Sequence, residues 1–269
     1  MRVRTPVIDF SEVRPDWAPN REFAHYYNAA STVPAHVEPF LVKVMMRART
    51  ELASRPNQQR LLADVDIFIK QEVQHCKRHV AFNQRLYDSG YAGMRELEAP
   101  YEADYRRWLE DKPLRFLLAY SEGFEAMGSS SAEVFFTELD DYLEGADESA
   151  VTLWKWHLAE EFEHRSVCYD VYKALYGHGL RSYLYRLYGF VYAVAHIGSH
   201  IKRVNAYLLG QDRRNLSETE QASSVERQQQ VKRRIARASL PRLLKVFSPF
   251  YDPACKMAPP PGMAQYLDL

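Results

Sequence analysis

The chain has 269 residues, and its 35 lysines and arginines balance 35 aspartates and glutamates. Neutrality argues against a protein whose main task is coating nucleic acid or an anionic membrane. A composition of 46% hydrophobic and 26% charged residues excludes wholesale disorder. Eleven glycines are few for a turn-rich β fold or a Gly-loop-rich α/β fold, which favours helix. Three cysteines (Cys76, Cys168, Cys255) form no Cys-x-x-Cys pair, so neither a disulfide framework nor a thiolate zinc site is expected. The N-terminal stretch has no signal-peptide apolar region. The longest apolar run, 188–198, is well short of the roughly twenty residues that span a bilayer. A cytoplasmic setting is the expectation.

In chain order, residues 1–33 read as an irregular, proline-containing lead-in, with Pro6, Pro15 and Pro19 inside it and Pro34 at its edge. Helical periodicity then marks 40–52 and a longer helix over 57–87, where Leu61, Val65, Phe68, Ile69, Val73, Val80 and Leu86 keep the 3.6 period. A short helix near 102–110 stops before Pro113. The next helix covers 114–127, with Gly128-Ser-Ser-Ser131 a kink before 132–143. Asp147 caps a long helix over 148–175, and a Tyr-rich helix spans 180–209. Residues 211–237 are polar, and the tail carries Pro259, Pro260 and Pro261. No strand and no repeat stands out. The expected fold is all-α, a ferritin-like four-helix bundle over 34–210 with additional C-terminal helices over 211–269.

Two of the long helices carry Glu-x-x-His, as Glu72/His75 and Glu161/His164. This spacing puts a carboxylate and an imidazole on one helix face, one turn apart. Two such pairs, plus one glutamate from each of two other helices, make a carboxylate-bridged centre for two iron or manganese ions inside a bundle. With 21 glutamates and nine histidines, chance alone yields about 0.7 such pairs against the three present. The third, Glu22/His25, falls in the lead-in and is set aside. His79 extends the first stripe, more readily as a hydrogen-bond partner than as a ligand. His157 extends the second and, between Trp154 and Trp156, is an additional ligand candidate. Glu38 is the candidate from the first helix, although Pro39 would confine it to a first turn or a kink. The third helix offers Glu122 and Glu125, three apart; Glu125 is preferred, with Glu122 an alternative ligand or a proton carrier.

The stretches FIKQEVQHCKRHVAFN (68–83) and WKWHLAEEFEHRSVCYDVY (154–172) resemble a bacterial family described as predicted metal-dependent hydrolases, ferritin-like in ligand pattern. The His-x-x-x-Glu-x-x-His order at His157, Glu161 and His164 is also similar to that of the di-iron arylamine N-oxygenases. Carried over position by position, the resemblance implies the ligands Glu38, Glu72, His75, Glu125, His157, Glu161 and His164. Four carboxylates favour higher iron oxidation states, whereas zinc-type hydrolysis works with fewer. The expectation is therefore an O2-activating oxidoreductase holding two iron ions, or manganese or a mixed pair. It would act on a small organic substrate such as an amine. Hydrolysis at the same ligands is the first alternative, and a metal-storage or structural bundle the second. No flavin or nicotinamide fingerprint is present, so an external electron donor is expected, and no nucleic-acid partner.

His196 and His200 on the Tyr-rich helix have no carboxylate beside them there and are expected to pack. Its tyrosines (Tyr183, Tyr185, Tyr188, Tyr192), with Phe190, are candidates to line a substrate channel or a homodimer face, core packing of about half of them being the alternative. Arg181, Arg186, Lys202 and Arg203 bracket this aromatic stretch, which also fits contact with a membrane surface. The basic run Lys232-Arg233-Arg234 with Arg237 reads as a solvated helix, and Cys168 as a buried structural thiol.

Overall fold

The computed structural model describes residues 1–255 and 258–268. It is an all-α bundle with no strand among the described residues. The helices are α1 (Arg21–Ala53), α2 (Gln59–Leu86), α3 (Met94–Asp111), α4 (Leu114–Thr137), α5 (Asp140–Leu143), α6 (Glu148–His164), α7 (Val167–Tyr176), α8 (Leu180–Arg213), α9 (Glu218–Leu244) and α10 (Ala264–Leu267). No helix among the described residues is long and apolar enough to cross a membrane.

The first correction is α1. It begins at Arg21, where the Asn20 side chain accepts from the Phe23 amide, so the irregular lead-in ends well before residue 33. The helix runs through both Pro34 and Pro39. Each proline removes one backbone donor. The Ala35 carbonyl freed by Pro39 lies 3.7 Å from the Cys76 Sγ, which donates to it. A continuous buried face including Val33, Val37, Phe40, Leu41 and Val44 supplies the packing that holds the helix through these breaks. Glu38 is therefore an interior helical residue, not a first-turn one.

Other boundaries also shift. Helix α3 runs from Met94, longer than the expected 102–110, and contains Pro100. Helix α4 continues through Gly128-Ser-Ser-Ser131 without the expected kink. The single helix expected over 148–175 is divided at Arg165 and Ser166. There the Arg165 guanidinium donates to the Phe162 carbonyl and competes with the backbone ladder. The polar segment after 211 forms α9, opened by a capping box between Ser217 and Glu220.

Two buried apolar clusters lie around the four helices α1, α2, α4 and α6. One includes Phe23, Phe82, Phe135, Leu153 and Trp156; the other includes Phe40, Met45, Phe68, Leu117 and Tyr172. Helix α8 closes against α4 because two glycines permit it. A Cβ on Gly189 would lie 2.5 Å from the Ala119 backbone, and one on Gly123 2.8 Å from the Phe190 Cα.

Candidate metal centre

Helix α1 brings Glu38, α2 brings Glu72 and His75, α4 brings Glu125, and α6 brings His157, Glu161 and His164. The four helices converge so that none of the seven side chains is more than 3% exposed. They form two groups, Glu38/His75/His157/Glu161 and Glu72/Glu125/His164, each with ligand atoms within 4.8 Å of one another.

Two carboxylates connect the groups. Glu161 Oε1 is 3.0 Å from His157 Nε2, 3.6 Å from His164 Nε2 and 3.9 Å from His75 Nδ1. Glu72 Oε1 is 3.6 Å from His75 Nδ1 and 3.4 Å from His164 Nε2. Glu38 Oε1 and Glu125 Oε2 lie at the two ends, each 3.3 Å from an imidazole, those of His157 and His164. Donors bound to one ion at about 2.0–2.2 Å stand roughly 3–3.5 Å apart, so these spacings suit ligation.

The donors also lack other partners. Both oxygens of Glu38, Glu72 and Glu125, together with Glu161 Oε2, His75 Nδ1 and His164 Nε2, are buried without a hydrogen bond. Leaving so many polar atoms unpaired is costly in a protein interior, and all of them belong to the two groups. A pair of divalent ions would satisfy them together, so the residues present fit such a centre.

Each metal-facing imidazole is held from behind. His75 Nε2 is 2.8 Å from Glu160 Oε2, and Glu160 Oε1 accepts from Arg4 at 2.9 Å. His164 Nδ1 donates to Gln71 Oε1 at 3.1 Å, while Gln71 Nε2 donates to Glu163. Behind His157 the chain of donors runs in one direction. Ser31 donates to Asn83 Oδ1, so its Oγ accepts from His79 Nδ1 at 2.8 Å. His79 Nε2 is then left to accept from His157 Nδ1 at 2.7 Å. In this way each of the three histidines engages one ring nitrogen behind the site and aims the other at the carboxylates, where a metal ion would take the place of any proton it carries.

The electrostatics express the same crowding. Burial and then neighbouring carboxylates push Glu38 and Glu125 well up. Glu72 is pushed up to about 8, by burial and then by Glu161. Burial opposes charge on Glu161 too, but His157 and His164 outweigh it and hold this carboxyl low. For His164, burial is overcome by Glu125 and Glu161, which raise it well above the usual imidazole value. Without metal, protons must carry the compensating charge.

Two further candidates, His79 and Glu122, stand outside both donor groups. His79 spends both ring nitrogens on Ser31 and His157 and so orients a ligand without facing the centre. Glu122 Oε1 accepts from Arg186 at 2.9 Å, and Arg186 also donates to the Val246 carbonyl. Glu22 pairs with Arg227, and His25 with Asp212. His200 stacks on Tyr101 and His196 bonds Tyr120, while Cys168 is buried against Met45. Sequence reasoning missed Arg4, Ser31, Gln71 and Glu160. Of these, Gln71 and Glu160 are each next to a predicted ligand in sequence, the one signal available.

Gly128 makes room for the shared carboxylate, since a Cβ there would lie 2.2 Å from Glu161 Oε2. On the adjacent face of α4 is a pocket of about 380 Å³, lined by Ala126, Ser129, Ser130, Arg165, Lys245, Val246, Phe250 and Tyr251 among others. The Ser130 Oγ is buried there without a partner.

No curated protein and no solved structure matches the chain. The likeness to arylamine N-oxygenases therefore stays with the ligand order on α6 alone. A family described as predicted metal-dependent hydrolase does match, over residues 2–256, and with that match and a buried Glu/His metal site on four helices, the chain belongs to this family.

Proposed function

We propose that the chain holds two iron ions between α1, α2, α4 and α6 and uses O2 to oxidise a small organic substrate. The observation that carries this reading is the donor set: four carboxylates and three imidazoles, with nine of their atoms buried and unpaired. Anionic oxygen donors stabilise higher oxidation states, and the imidazoles suit iron. When bound, the two ions would supply redox chemistry with O2. The chain's own residues do the rest: Glu160, His79 and Gln71 fix the imidazole tautomers, and the closed bundle excludes bulk water. The pocket beside α4 is the substrate site in this reading. Its lining combines charged groups, among them Arg165, Lys245 and Glu133, with the apolar Val246 and Phe250. Electrons come from a separate donor.

The family description favours a second reading, metal-dependent hydrolysis by the same ligands. One experiment divides the two. Apoprotein is loaded anaerobically with Fe(II), and metal content, O2 uptake and the visible spectrum are followed on admitting air. Two irons per chain with O2-dependent absorbance support the oxidative reading. Fewer than one iron per chain, or activity that persists with zinc and without O2, would overturn it, the latter in favour of hydrolysis.

A further inference from the structure

We propose that the outer face of α8 and α9 docks on an anionic lipid surface. Zero net charge conceals an uneven distribution. There is no Asp or Glu between residues 180 and 211, nor between 227 and 251, yet these two stretches hold eleven lysines and arginines. Four of them meet carboxylates of other elements: Arg186 with Glu122, Arg227 with Glu22, Arg234 with Asp141 and Arg242 with Glu133. The other seven (Arg181, Lys202, Arg203, Lys232, Arg233, Arg237 and Lys245) are exposed and make no ion pair among the described residues.

Exposed apolar residues concentrate on the same two helices and just after α9. Of fourteen large hydrophobics exposed among the described residues, eight fall on 180–191 and 240–250. Leu184 is 54% exposed, Leu244 55% and Phe250 90%. Both helices pack on α4 and run in opposite directions beside each other, with Gln228 bonded to Asn205 at one end and Phe247, just past α9, against Phe190 at the other. Tyr183 also bonds the Phe247 carbonyl, and Phe190 and Val194 share a cluster with Leu243 and Val246, so the apolar stretches 180–191 and 240–250 lie at the same end. The same arrangement sets Lys202 close to Lys232, whose charge is opposed by burial and then by that neighbour. Along α9, Arg233, Arg237, Leu240 and Leu244 follow one another at i, i+4, i+7 and i+11, a single stripe.

An acid-free face that joins exposed Leu, Val and Phe to unpaired cations matches a bilayer interface with anionic headgroups. A second copy of the chain docked on the same face would set cation against cation, and a polynucleotide would leave the apolar end unused. No helix among the described residues is long and apolar enough to cross a membrane, and the contact we propose is peripheral. Lys245 and Phe250 also wall the pocket beside α4, so docking turns its mouth toward the lipid.

The test is sedimentation of the full chain with phosphatidylcholine vesicles, with and without phosphatidylglycerol, at low and high salt. Binding to the anionic vesicles that weakens with salt is expected, with little binding to the neutral ones. Arg233→Gln with Arg237→Gln should weaken it by about five-fold for each cation removed. Leu184→Ser with Leu244→Ser should weaken it as well, and both pairs should leave metal content and melting temperature unchanged. Absence of binding to anionic vesicles at low salt overturns the proposal. So does equal binding to duplex DNA that the serine variants do not disturb, or a dimer of the free protein that they dissolve.

Discussion

Gly128→Ala is the substitution that tests the centre with least disturbance elsewhere. The added methyl would lie 2.2 Å from Glu161 Oε2 and 3.0 Å from its Cδ. Ordinary contact begins near 3.4 Å, so the carboxylate must retreat by about 1.2 Å or turn away. Metal–ligand distances tolerate only about 0.2 Å. Glu161 has one oxygen within 3.9 Å of all three imidazoles, so its retreat should reach both metal positions. A hundred-fold or greater loss of affinity, about 2.7 kcal/mol, is the expected result. The helix itself has no reason to fail, because alanine is favoured over glycine within a helix by about 1 kcal/mol. Metal content by mass spectrometry and Fe(II) titration should thus fall while the melting temperature of the apoprotein holds or rises. Gly189→Ala is the control. Its methyl meets the Ala119 backbone at 2.5 Å, so it should destabilise the fold, metal-loaded or not, by about 1–3 kcal/mol. Gly128→Ala with two tightly bound metals would falsify the placement of Glu161 as the shared ligand.

Three further outcomes follow from the geometry. His79→Ala should weaken metal binding by about 10–100-fold through loss of the partner that orients His157, and unchanged affinity in an Fe(II) titration would remove that role. Glu122→Gln should keep full metal content yet lose stability, because Arg186 is left buried beside a neutral group; breaking such a pair costs about 3–5 kcal/mol. Lost metal with unchanged melting would put Glu122 at the centre instead. Apoprotein stability should fall as pH rises from 4.5 toward about 8, since Glu72 is protonated in the folded chain over a range where the unfolded chain is ionised. The raised Glu38, Glu125 and His164 act in the same direction. Metal should abolish this slope in thermal melts, and an apoprotein slope of opposite sign would contradict the charge assignment.

The Glu-x-x-His pairs were legible because a helix places residues three apart on one face whatever surrounds it. The same local rule identified the His157 stripe and the cap at Asp147. Pro39 misled for a related reason: the local cost of a proline is readable, whereas the buried face of α1 and the Cys76 thiol that takes up the freed carbonyl come from distant parts of the chain. Glu122 and Glu125 share a face in sequence terms. Only α8, by bringing Arg186 to Glu122, leaves Glu125 alone with His164. Arg4 and Ser31 acquire meaning solely through contacts with Glu160 and His79, more than forty residues away in each case. Net charge shows the same division. Composition determines that it is zero, but α8 and α9, both laid on α4, carry the cations that find no carboxylate, while the bundle interior collects the carboxylates. Local spacing follows from the geometry of one helix, and the choice of partners follows from which helices the core brings together.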